Sequence, residues 1–401
     1  MKHYFLGLAA NYTRKQRLAH TLVWGREKDR LELGTYLDKK YQGETVLTKN
    51  GRSALAMVLK AYFEPGDKII VNGFTCYAVY EALKVAGLMP VFADINQDNL
   101  NFGIRELQDV WAREGANADA KKPSQKAAVD KKTQTGIGLK IAGIIIQNTL
   151  GNPVDMAAIE KFAKQHELVI IEDLAHCTGV KYPDGREAGM VGAATVLSFG
   201  KGKSIDTISG GAAIFRDPCK TRKGARIKTP KDFAPQLPPK VADALRARFY
   251  PLFGAVARGL SYLRLGGAWM RLLVKIRWVE KSADNRLDLD RKICKFEAKL
   301  ALRQLKNLKP SGQGPLRNFC LVENRDVVLK ELKKAGFFFD GFWYERPVAP
   351  ERYYKRVHFP ENACPVAVAV SQKIINFPTH YQKAELKPAW KIVKTNLEEE
   401  T

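Results

Sequence analysis

Cysteine is scarce and scattered in this sequence of 401 residues. No C-x-x-C pair occurs, and the spacing of the six cysteines matches no disulfide framework. They are Cys76, Cys177, Cys219, Cys294, Cys320 and Cys364. This distribution argues against a structural zinc site and favours a reducing compartment.

Long apolar runs are also missing. No stretch of about 18 apolar residues occurs, so we expect no membrane-spanning helix. The apolar stretch near the N-terminus is too short and too interrupted for a signal peptide. We therefore expect a cytoplasmic protein. With 45% hydrophobic residues, the chain can bury a large core and a second, smaller domain.

Negative charge is in short supply, and the formal net charge is +24. Residues 220–281 contain 15 Lys/Arg and 3 Asp/Glu, so half of the surplus comes from one segment. Within it, residues 245–279 interleave Leu, Phe, Trp and Arg at helical intervals. A cationic amphipathic helix pair of this kind can make peripheral contact with an anionic membrane surface. The alternative is a packed helical insertion whose basic face meets solvent or a partner subunit.

Other partners of a basic protein fit the sequence less well. A phosphate-rich substrate would also explain the local charge. Nucleic-acid binding needs a recognisable module or a strand platform of aromatic and basic residues, and neither occurs. We expect no nucleic-acid partner and no metal site.

Strand and helix patterns alternate from about residue 47 to residue 215, which predicts a mainly parallel α/β sheet. Short apolar runs predict strands at residues 68–72, 89–94, 141–146, 169–171 and 193–199, with a return strand after Gly210-Gly211. Helical periodicity predicts helices near residues 28–41, 51–62, 78–86 and 155–165. Residues 115–138 have no apolar period and are interpreted as a surface loop or disordered insertion.

We expect four parts in the chain. They are a lead-in at residues 1–45, a large domain at 46–218, a basic helical insertion at 219–292, and a connecting helix with a small C-terminal domain at 293–401.

The segment from residue 169 to residue 215 carries the chemistry. Glu172 and Asp173 end a buried strand, the place where open α/β sheets bind ligands. Ser198 and Lys203 follow the next strand in a loop rich in Gly and Ser. A carboxylate for a pyridinium nitrogen, a lysine for a Schiff base and hydroxyls for a phosphate are the groups that pyridoxal phosphate (PLP) requires.

The order and spacing of these residues resemble the DegT/DnrJ/EryC1/StrS family of PLP-dependent sugar aminotransferases, of fold type I. The family's E-D-x-A-[QH]-x-x-G, S-F-x-x-x-K and G-G stretches match Glu172, Asp173, Ala175, His176, Gly179, Ser198, Phe199, Lys203, Gly210 and Gly211. Lys201 keeps neither interval, so Lys203 is the predicted catalytic lysine. The resemblance implies a seven-stranded, mainly parallel sheet with helices on both faces and a small α+β C-terminal domain.

Further cofactor contacts follow from the resemblance. The family's G-[TR]-[ST]-A-L stretch, which holds the phosphate, corresponds to Gly51, Arg52 and Ser53 at a predicted helix start. Alternatively, Ser53 is a plain N-cap. Asn148, after a buried strand, is the candidate polar residue beside the ring oxygen of the cofactor; the alternative is a turn-forming asparagine.

Two positions leave alternatives open. The family often uses Gln or His at the position of His176 to contact the cofactor or the lysine, whereas a lone histidine can equally be structural. The family also stacks an aromatic residue on the PLP ring immediately after a threonine. Cys76 occupies that position here and Tyr77 follows it. Either the Cys76 thiol packs against the ring, or Phe74 or Tyr77 provides the stacking.

The resemblance is weaker in the last third of the chain. Residues 295–308 resemble the family's A-A-x-x-x-x-Q-L-x-x-L helix, matched at Ala301, Gln304, Leu305 and Leu308. The N-Y-[RK] triplet ahead of this helix, which helps to build the active site across the dimer, is missing. Residues 375–379 resemble the family's L-x-L-P strand of the small domain.

The resemblance implies an aminotransferase that is a homodimer with cofactor sites near the subunit interface. The expected donor is glutamate, and the acceptor is a keto-sugar, nucleotide-linked, used for cell-surface glycan or related biosynthesis. Some relatives carry His in place of the lysine and catalyse dehydration, and Lys203 argues against that variant. The alternatives are another fold-type-I PLP enzyme, such as a lyase, and a non-catalytic PLP-fold protein with a membrane-associated or regulatory role.

Overall fold

The computed structural model describes residues 4–5, 14–120, 140–216, 230–261, 265, 268–269, 272, 275, 287–309, 314–338, 343–379 and 383–397. The strands are β1 (Tyr4–Phe5), β2 (Glu44–Thr48), β3 (Lys68–Asn72), β4 (Thr75–Cys76), β5 (Met89–Ala93), β6 (Ile141–Ile146), β7 (Val169–Asp173), β8 (Ala194–Ser198), β9 (Gly211–Phe215), β10 (Arg317–Leu321), β11 (Phe337–Phe338), β12 (Val348–Ala349) and β13 (Ile374–Pro378). The helices are α1 (Arg14–Leu22), α2 (Glu27–Tyr41), α3 (Gly51–Tyr62), α4 (Tyr77–Val85), α5 (Ile104–Ala120), α6 (Met156–Gln165), α7 (Val241–Ser261), α8 (Lys295–Lys306), α9 (Arg325–Lys334), α10 (Glu351–Tyr354), α11 (Pro365–Lys373) and α12 (Lys383–Lys394).

Seven of the described strands form the central sheet, in the order β2-β9-β8-β7-β6-β3-β5. Neighbouring strands from β8 to β5 run parallel, and β9 runs antiparallel to both of its neighbours. The predicted mainly parallel sheet of seven strands is confirmed. The strands are short apolar runs because helices cover both faces of a parallel sheet.

Successive residues of the central strands enter two separate cores. Ile69 packs with the cluster on the face covered by α3 and α4, whereas Ile70 belongs to the cluster on the other face. The second cluster also holds apolar residues of α2, α5, α6 and α8. This alternation follows from the two-residue period of a β-strand and places all strand ends at defined edges.

A smaller α+β unit follows the large sheet, as predicted. Strands β10 and β13 pair antiparallel, and α9 and α12 pack together beside them. Their apolar residues, including Val328, Phe377 and Val393, form a separate core. Strand β12 then pairs with β4, which ties this part of the chain to the end of β3 and hence to the main sheet.

Two predictions for the less regular segments need correction or fall outside the described residues. Residues 115–120 continue α5, so the predicted loop does not begin at residue 115. The alanines in this stretch favour helix. Residues 121–138 lie outside the described residues. Helix α7 confirms the first half of the predicted helix pair, but only five residues between 262 and 279 are described. None of the described helices is long and apolar enough to cross a membrane.

A buried carboxylate organises the loop that follows β7. Glu172 is fully buried, and its two oxygens accept hydrogen bonds from the backbone N–H groups of Gly189, Val191 and Gly192 at 2.6–2.7 Å. The Tyr182 hydroxyl donates to the same carboxylate at 2.7 Å. Several donors thus compensate the desolvation of this charge.

We expect Glu172→Gln to destabilise the fold by about 3–5 kcal/mol, because an amide N–H₂ would then face backbone donors in a buried site. Urea unfolding followed by circular dichroism measures the change. Glu160→Gln is the matched control, since Glu160 pairs with Arg186 at 2.8 Å on the surface. That control should cost less than about 1 kcal/mol. Equal costs for the two variants would contradict the role of Glu172.

A buried histidine predicts a pH dependence of stability. His20 joins α1 to α7 through a contact of 3.4 Å between its Nδ1 and the Arg248 carbonyl oxygen. Burial lowers the pKa of His20 from 6.5 to about 4. Because the folded state resists protonation, this residue's contribution to stability is present above about pH 6.5 and is lost as pH falls towards 4.

The test compares the wild type with His20→Gln by urea unfolding at pH 7 and pH 5. The free energy of unfolding should fall by about 1–2 kcal/mol more in the wild type than in the variant over this interval. Using the difference between the two proteins cancels other titrating groups, such as Glu297, whose pKa is raised by burial to about 7. A parallel pH dependence in the two proteins would show that His20 does not titrate as described.

Candidate active site

The site begins at the carboxyl end of β7. Asp173 is the last residue of that strand, is buried, and accepts a hydrogen bond of 2.9 Å from the backbone N–H of Ala175. Burial raises the pKa of Asp173 above its usual value, and the nearby charge of Lys203 opposes that shift. A cation placed beside Asp173 would therefore stabilise its ionised form and lower its pKa.

Lys203 approaches Asp173 from the loop after β8. A turn holds the lysine, with the Lys203 N–H donating to the Gly200 carbonyl at 3.2 Å and the Gly202 N–H donating to Asp206 at 2.8 Å. Burial lowers the pKa of Lys203 below its usual value, while Cys76 and Asp173 oppose the shift. A depressed pKa increases the fraction of neutral, nucleophilic amine.

The competing lysine points elsewhere. Nζ of Lys201 donates a hydrogen bond of 2.7 Å to the Tyr250 hydroxyl on α7 and lies 4.9 Å from the centroid of that ring. Lys201 thus contacts α7 of the insertion, whereas Lys203 is the lysine whose charge acts on Asp173. The assignment by spacing and the geometry point to the same residue.

The first turn of α3 lies directly against Ser198. A Cβ added at Gly51 would lie 2.6 Å from the Ser198 Cβ, so glycine is required for this approach. Asn50 caps the helix, because its Oδ1 accepts from the Ser53 N–H at 2.8 Å. The alternative in which Ser53 is the N-cap is therefore wrong, since the cap lies three residues earlier.

The side chains of Arg52 and Ser53 point away from Ser198. Nη1 of Arg52 contacts the Glu81 carboxylate on α4 at 2.6 Å, and the Ser53 hydroxyl donates to the Asp288 carbonyl at 3.0 Å. The Ser53 backbone N–H already donates to Asn50, so the predicted phosphate contacts of Arg52 and Ser53 stay predictions.

One buried polar atom at this helix start indicates an anionic ligand. Nδ2 of Asn50 is buried and has no hydrogen-bond partner among the described residues. Asn50 lies at the N-terminus of α3 and forms a bridge with Gly210, immediately before Gly211, the partner of Ser198 in the sheet. The N-terminus of a helix attracts an anion. These residues fit the phosphate of PLP, and Asp173 and Lys203 fit its ring nitrogen and its aldehyde.

The aromatic residues considered for stacking are each paired with another aromatic ring. Phe74 is buried and stacks on Tyr344 with ring centroids 4.6 Å apart. Tyr77 stacks on Tyr353 at 4.4 Å. The Cys76 thiol instead accepts from the Ala78 N–H at 3.5 Å, which caps α4. The ring of Tyr77 is thus paired with the C-terminal part of the chain, and the cofactor contacts predicted for Cys76 and Tyr77 stay predictions.

Trp343 is the aromatic side chain that contacts the lysine. Its ring centroid lies 4.7 Å from Nζ of Lys203 and 5.0 Å from the ring of His176, on which it stacks. The Arg317 guanidinium lies 5.1 Å from the same indole. Asn376 donates a hydrogen bond of 2.8 Å to the Trp343 carbonyl and so fixes the backbone.

His176 lies within the site in a neutral form. Its Nδ1 accepts from the Leu150 N–H at 3.2 Å, so the proton of the neutral ring resides on Nε2. Burial, with the charges of Lys203 and Arg317, holds the pKa of His176 well below its usual value. A direct contact of His176 with the cofactor stays a prediction.

Asn148 does not face the lysine. Its amide N–H₂ donates to the Cys177 thiol at 3.4 Å and to the Tyr182 hydroxyl at 3.3 Å, and its Oδ1 accepts from the Val154 N–H. Its backbone φ of 50° turns the chain, as in the turn-forming alternative. The preceding residue, Gln147, contacts two hydroxyl groups instead. Its Oε1 accepts from the Thr75 hydroxyl, and its amide N–H₂ donates to the Tyr344 hydroxyl at 3.1 Å.

Sequence reasoning missed Asn50, Gln147, Arg317 and Trp343. Asn50 carried a usable signal, since Asn is a preferred N-cap and precedes the glycine of the helix start. Trp343 and Arg317 reach the site only through tertiary packing of the C-terminal unit. No local pattern in the sequence links them to Lys203.

Comparisons with known proteins agree with this geometry. The DegT/DnrJ/EryC1/StrS aminotransferase family model matches residues 16–229. A DegT DnrJ EryC1 StrS aminotransferase from Brucella abortus has a similar structure, with a TM-score of 0.62 and 18% identity over 94% of this chain and 93% of that one. A putative sugar aminotransferase from Streptococcus pneumoniae has a TM-score of 0.60 and 17% identity over 98% and 97% of the two chains.

Sequence relatives match a shorter part. The pleiotropic regulatory protein of Geobacillus stearothermophilus is 32% identical over 44% of this chain and 41% of its own length. The GDP-perosamine synthase of Caulobacter vibrioides is 22% identical over 84% and 80%. Several matches span only about two fifths of the relatives' lengths. Because the family model covers more than half of the chain, this protein belongs to the DegT/DnrJ/EryC1/StrS aminotransferase family, whose cofactor is PLP.

Proposed function

We propose that this protein is a PLP-dependent aminotransferase that transfers an amino group from glutamate to a nucleotide-linked keto-sugar. The observation that carries the proposal is the pair formed by Asp173 and Lys203. Asp173 is buried and Lys203 is half-buried at one sheet edge, and desolvation lowers the pKa of the lysine. A lowered pKa prepares the lysine for covalent and proton-transfer chemistry.

When bound, PLP supplies an electron sink for charge that develops at the amino-bearing carbon of the substrate. The protein supplies the proton transfer. A neutral Lys203 amine can take a proton from that substrate carbon and deliver it to the cofactor carbon that receives the amino group. The turn held by Gly200 and Asp206 fixes the backbone from which the Lys203 side chain extends.

Asp173 and Trp343 complete the chemical surroundings of Lys203. The Asp173 carboxylate can pair with a protonated ring nitrogen, which removes the cost of its own burial. Trp343 and His176 form a stacked pair beside the amine, and this flat wall excludes water. The neutral imidazole keeps an N–H on Nε2 available as a hydrogen-bond donor.

The names of relatives support a sugar acceptor. GDP-perosamine synthases and an L-glutamine:2-deoxy-scyllo-inosose aminotransferase are among them. The basic character of the chain, with a net charge of +24, suits a substrate that carries a pyrophosphate. We also propose a homodimer in the cytoplasm. Incubation with glutamate and matched keto-sugars, free and nucleotide-linked, followed by mass spectrometry of the amine product, tests both donor and acceptor.

Lys203→Arg should abolish the visible absorption that a lysine-bound PLP gives, because arginine keeps the charge but cannot bond covalently to the cofactor. Lys201→Arg is the matched control, since Lys201 bonds Tyr250 on α7. That control should retain the band, and glutamate should remove it in the wild type. Borohydride reduction and peptide mass spectrometry should locate the cofactor on Lys203.

Three results would count against the proposal. A PLP adduct on Lys201 would overturn the lysine assignment. A band that does not respond to glutamate would exclude glutamate as the donor. No band in the wild type with added PLP would show that the chain does not use the family's cofactor.

Trp343 gives a second test of the site. Trp343→Ala should weaken PLP retention by about tenfold, because the wall beside Lys203 is lost, whereas Trp343→Phe should keep most of it. Retention is measured by the visible band during dilution and dialysis. Tyr77→Ala is the comparison variant, and we expect it to retain PLP, since Tyr77 stacks on Tyr353. The reverse order of the two effects would restore Tyr77 as the stacking residue.

A further inference from the structure

Helix α7 carries an apolar stripe on its solvent-facing side. Val241, Leu245 and Val256 are exposed by 75%, 44% and 44%. Phe249 and Leu252 lie between them at helical spacing and are half-buried. Intervals of three and four residues place these side chains along one line of a helix, over about 22 Å of its axis. The opposite side of α7, including Ala247 and Tyr250, packs into the protein.

The next described residues continue the same character. Leu265 and Leu272, seven residues apart, are exposed by 52% and 48%. Lys275 is also exposed, as is Lys240 immediately before α7. Large aliphatic side chains are thus concentrated on one insertion, and we call Val241, Leu245, Val256, Leu265 and Leu272 the insertion surface.

The charge around the insertion surface is mainly positive. Residues 240–279 contain eight Lys/Arg and one Asp/Glu, Asp243, which pairs with Lys49 at 2.7 Å and with Arg246 at 3.5 Å. Beside α7 lies a recess of about 500 Å³, lined in part by Arg30, Arg248, Lys292 and Lys295. One carboxylate in that lining, Glu27, pairs with Arg30 at 2.8 Å and with Lys295 at 3.3 Å. The cations of the recess therefore outnumber its carboxylate, and the whole edge attracts anions.

A second copy of the chain is a poor occupant of this surface. A two-fold contact places the same patch against itself, so a segment with eight cations and one carboxylate, Asp243, would meet like charge with little to compensate it. Nucleic acid is also a poor occupant, because exposed aliphatic side chains gain little from a phosphate backbone. An anionic lipid surface satisfies both features, since it takes apolar side chains and attracts basic ones.

We propose that the insertion surface docks this protein onto an anionic membrane surface. The aliphatic side chains enter the boundary between headgroups and acyl chains, and the flanking lysines and arginines contact lipid phosphates. The protein lies on the membrane and does not cross it.

The experiment measures binding of the full-length protein to vesicles by flotation. Vesicles of phosphatidylcholine alone are compared with vesicles that also contain phosphatidylglycerol, at low and at physiological salt. We expect binding only to the anionic vesicles, and weaker binding as salt rises.

A triple variant, Val241→Ser with Leu245→Ser and Val256→Ser, isolates the apolar contribution. We expect affinity for anionic vesicles to fall by about fivefold or more for each side chain removed. Val327→Ser is the matched control, since Val327 is 41% exposed on α9, and its affinity should not change. Lys240→Gln with Lys275→Gln should cost about fivefold for each lysine. The visible band of bound PLP and the unfolding midpoint verify that each variant is folded.

Several outcomes would overturn the proposal. Failure of the wild type to bind anionic vesicles removes it directly. Equal loss in the triple variant and in Val327→Ser shows that the insertion surface is not the contact. A triple variant that changes from dimer to monomer in light scattering, without any vesicle binding by the wild type, assigns the surface to self-association. If the wild type and the triple variant bind inorganic phosphate or a soluble polyanion equally well, and the wild type does not prefer anionic vesicles, the basic residues only attract anions and the membrane proposal is wrong.

Discussion

Two adjacent carboxylates at the end of β7 face opposite ways, and both the fold and the site depend on that alternation. Glu172 points towards the loop at residues 182–192 and gathers its backbone N–H groups. Asp173 points towards Lys203. Because successive side chains of a strand alternate, a slip of one residue would exchange the two and lose both functions at once. The hydrogen bonds to Glu172 hold the register of β7, and that register determines the direction of the Asp173 side chain.

Desolvation shifts the pKa values of Asp173 and Lys203 in opposite directions. Burial disfavours the charged form of any group, so it raises the pKa of Asp173 and lowers that of Lys203. A positive ring nitrogen bound beside Asp173 would favour the carboxylate again, and the lowered pKa would keep the lysine amine available as a nucleophile. The stacked rings of Trp343 and His176 maintain the shielding. Desolvation alone thus favours a neutral carboxyl group at Asp173 and a neutral amine at Lys203.

The central sheet and the proximity of Asp173 and Lys203 could be predicted from the sequence because both follow from local patterns. Strands β3 and β6 coincide with their predicted bounds, since each is a short apolar run bounded by turn residues. Asp173 and Lys203 follow from their positions after such runs. Side-chain direction was less predictable. Asn148 follows the predicted strand, but its left-handed backbone turns the amide towards Tyr182. The cover over Lys203 comes from Trp343, which only the packing of the C-terminal unit brings there.

The basic insertion is fastened to the part of the site that fits the cofactor phosphate. Asp243, in the first turn of α7, pairs with Lys49 at 2.7 Å, one residue before the cap of α3. The Tyr250 hydroxyl accepts from Lys201, in the same loop as the catalytic lysine. These contacts join α7 to the Lys203 loop and to the start of α3. A membrane that fixes the orientation of α7 would therefore also fix the orientation of the candidate site. Positive charge on the insertion therefore lies on an element that contacts both the residue before the α3 cap and the Lys203 loop.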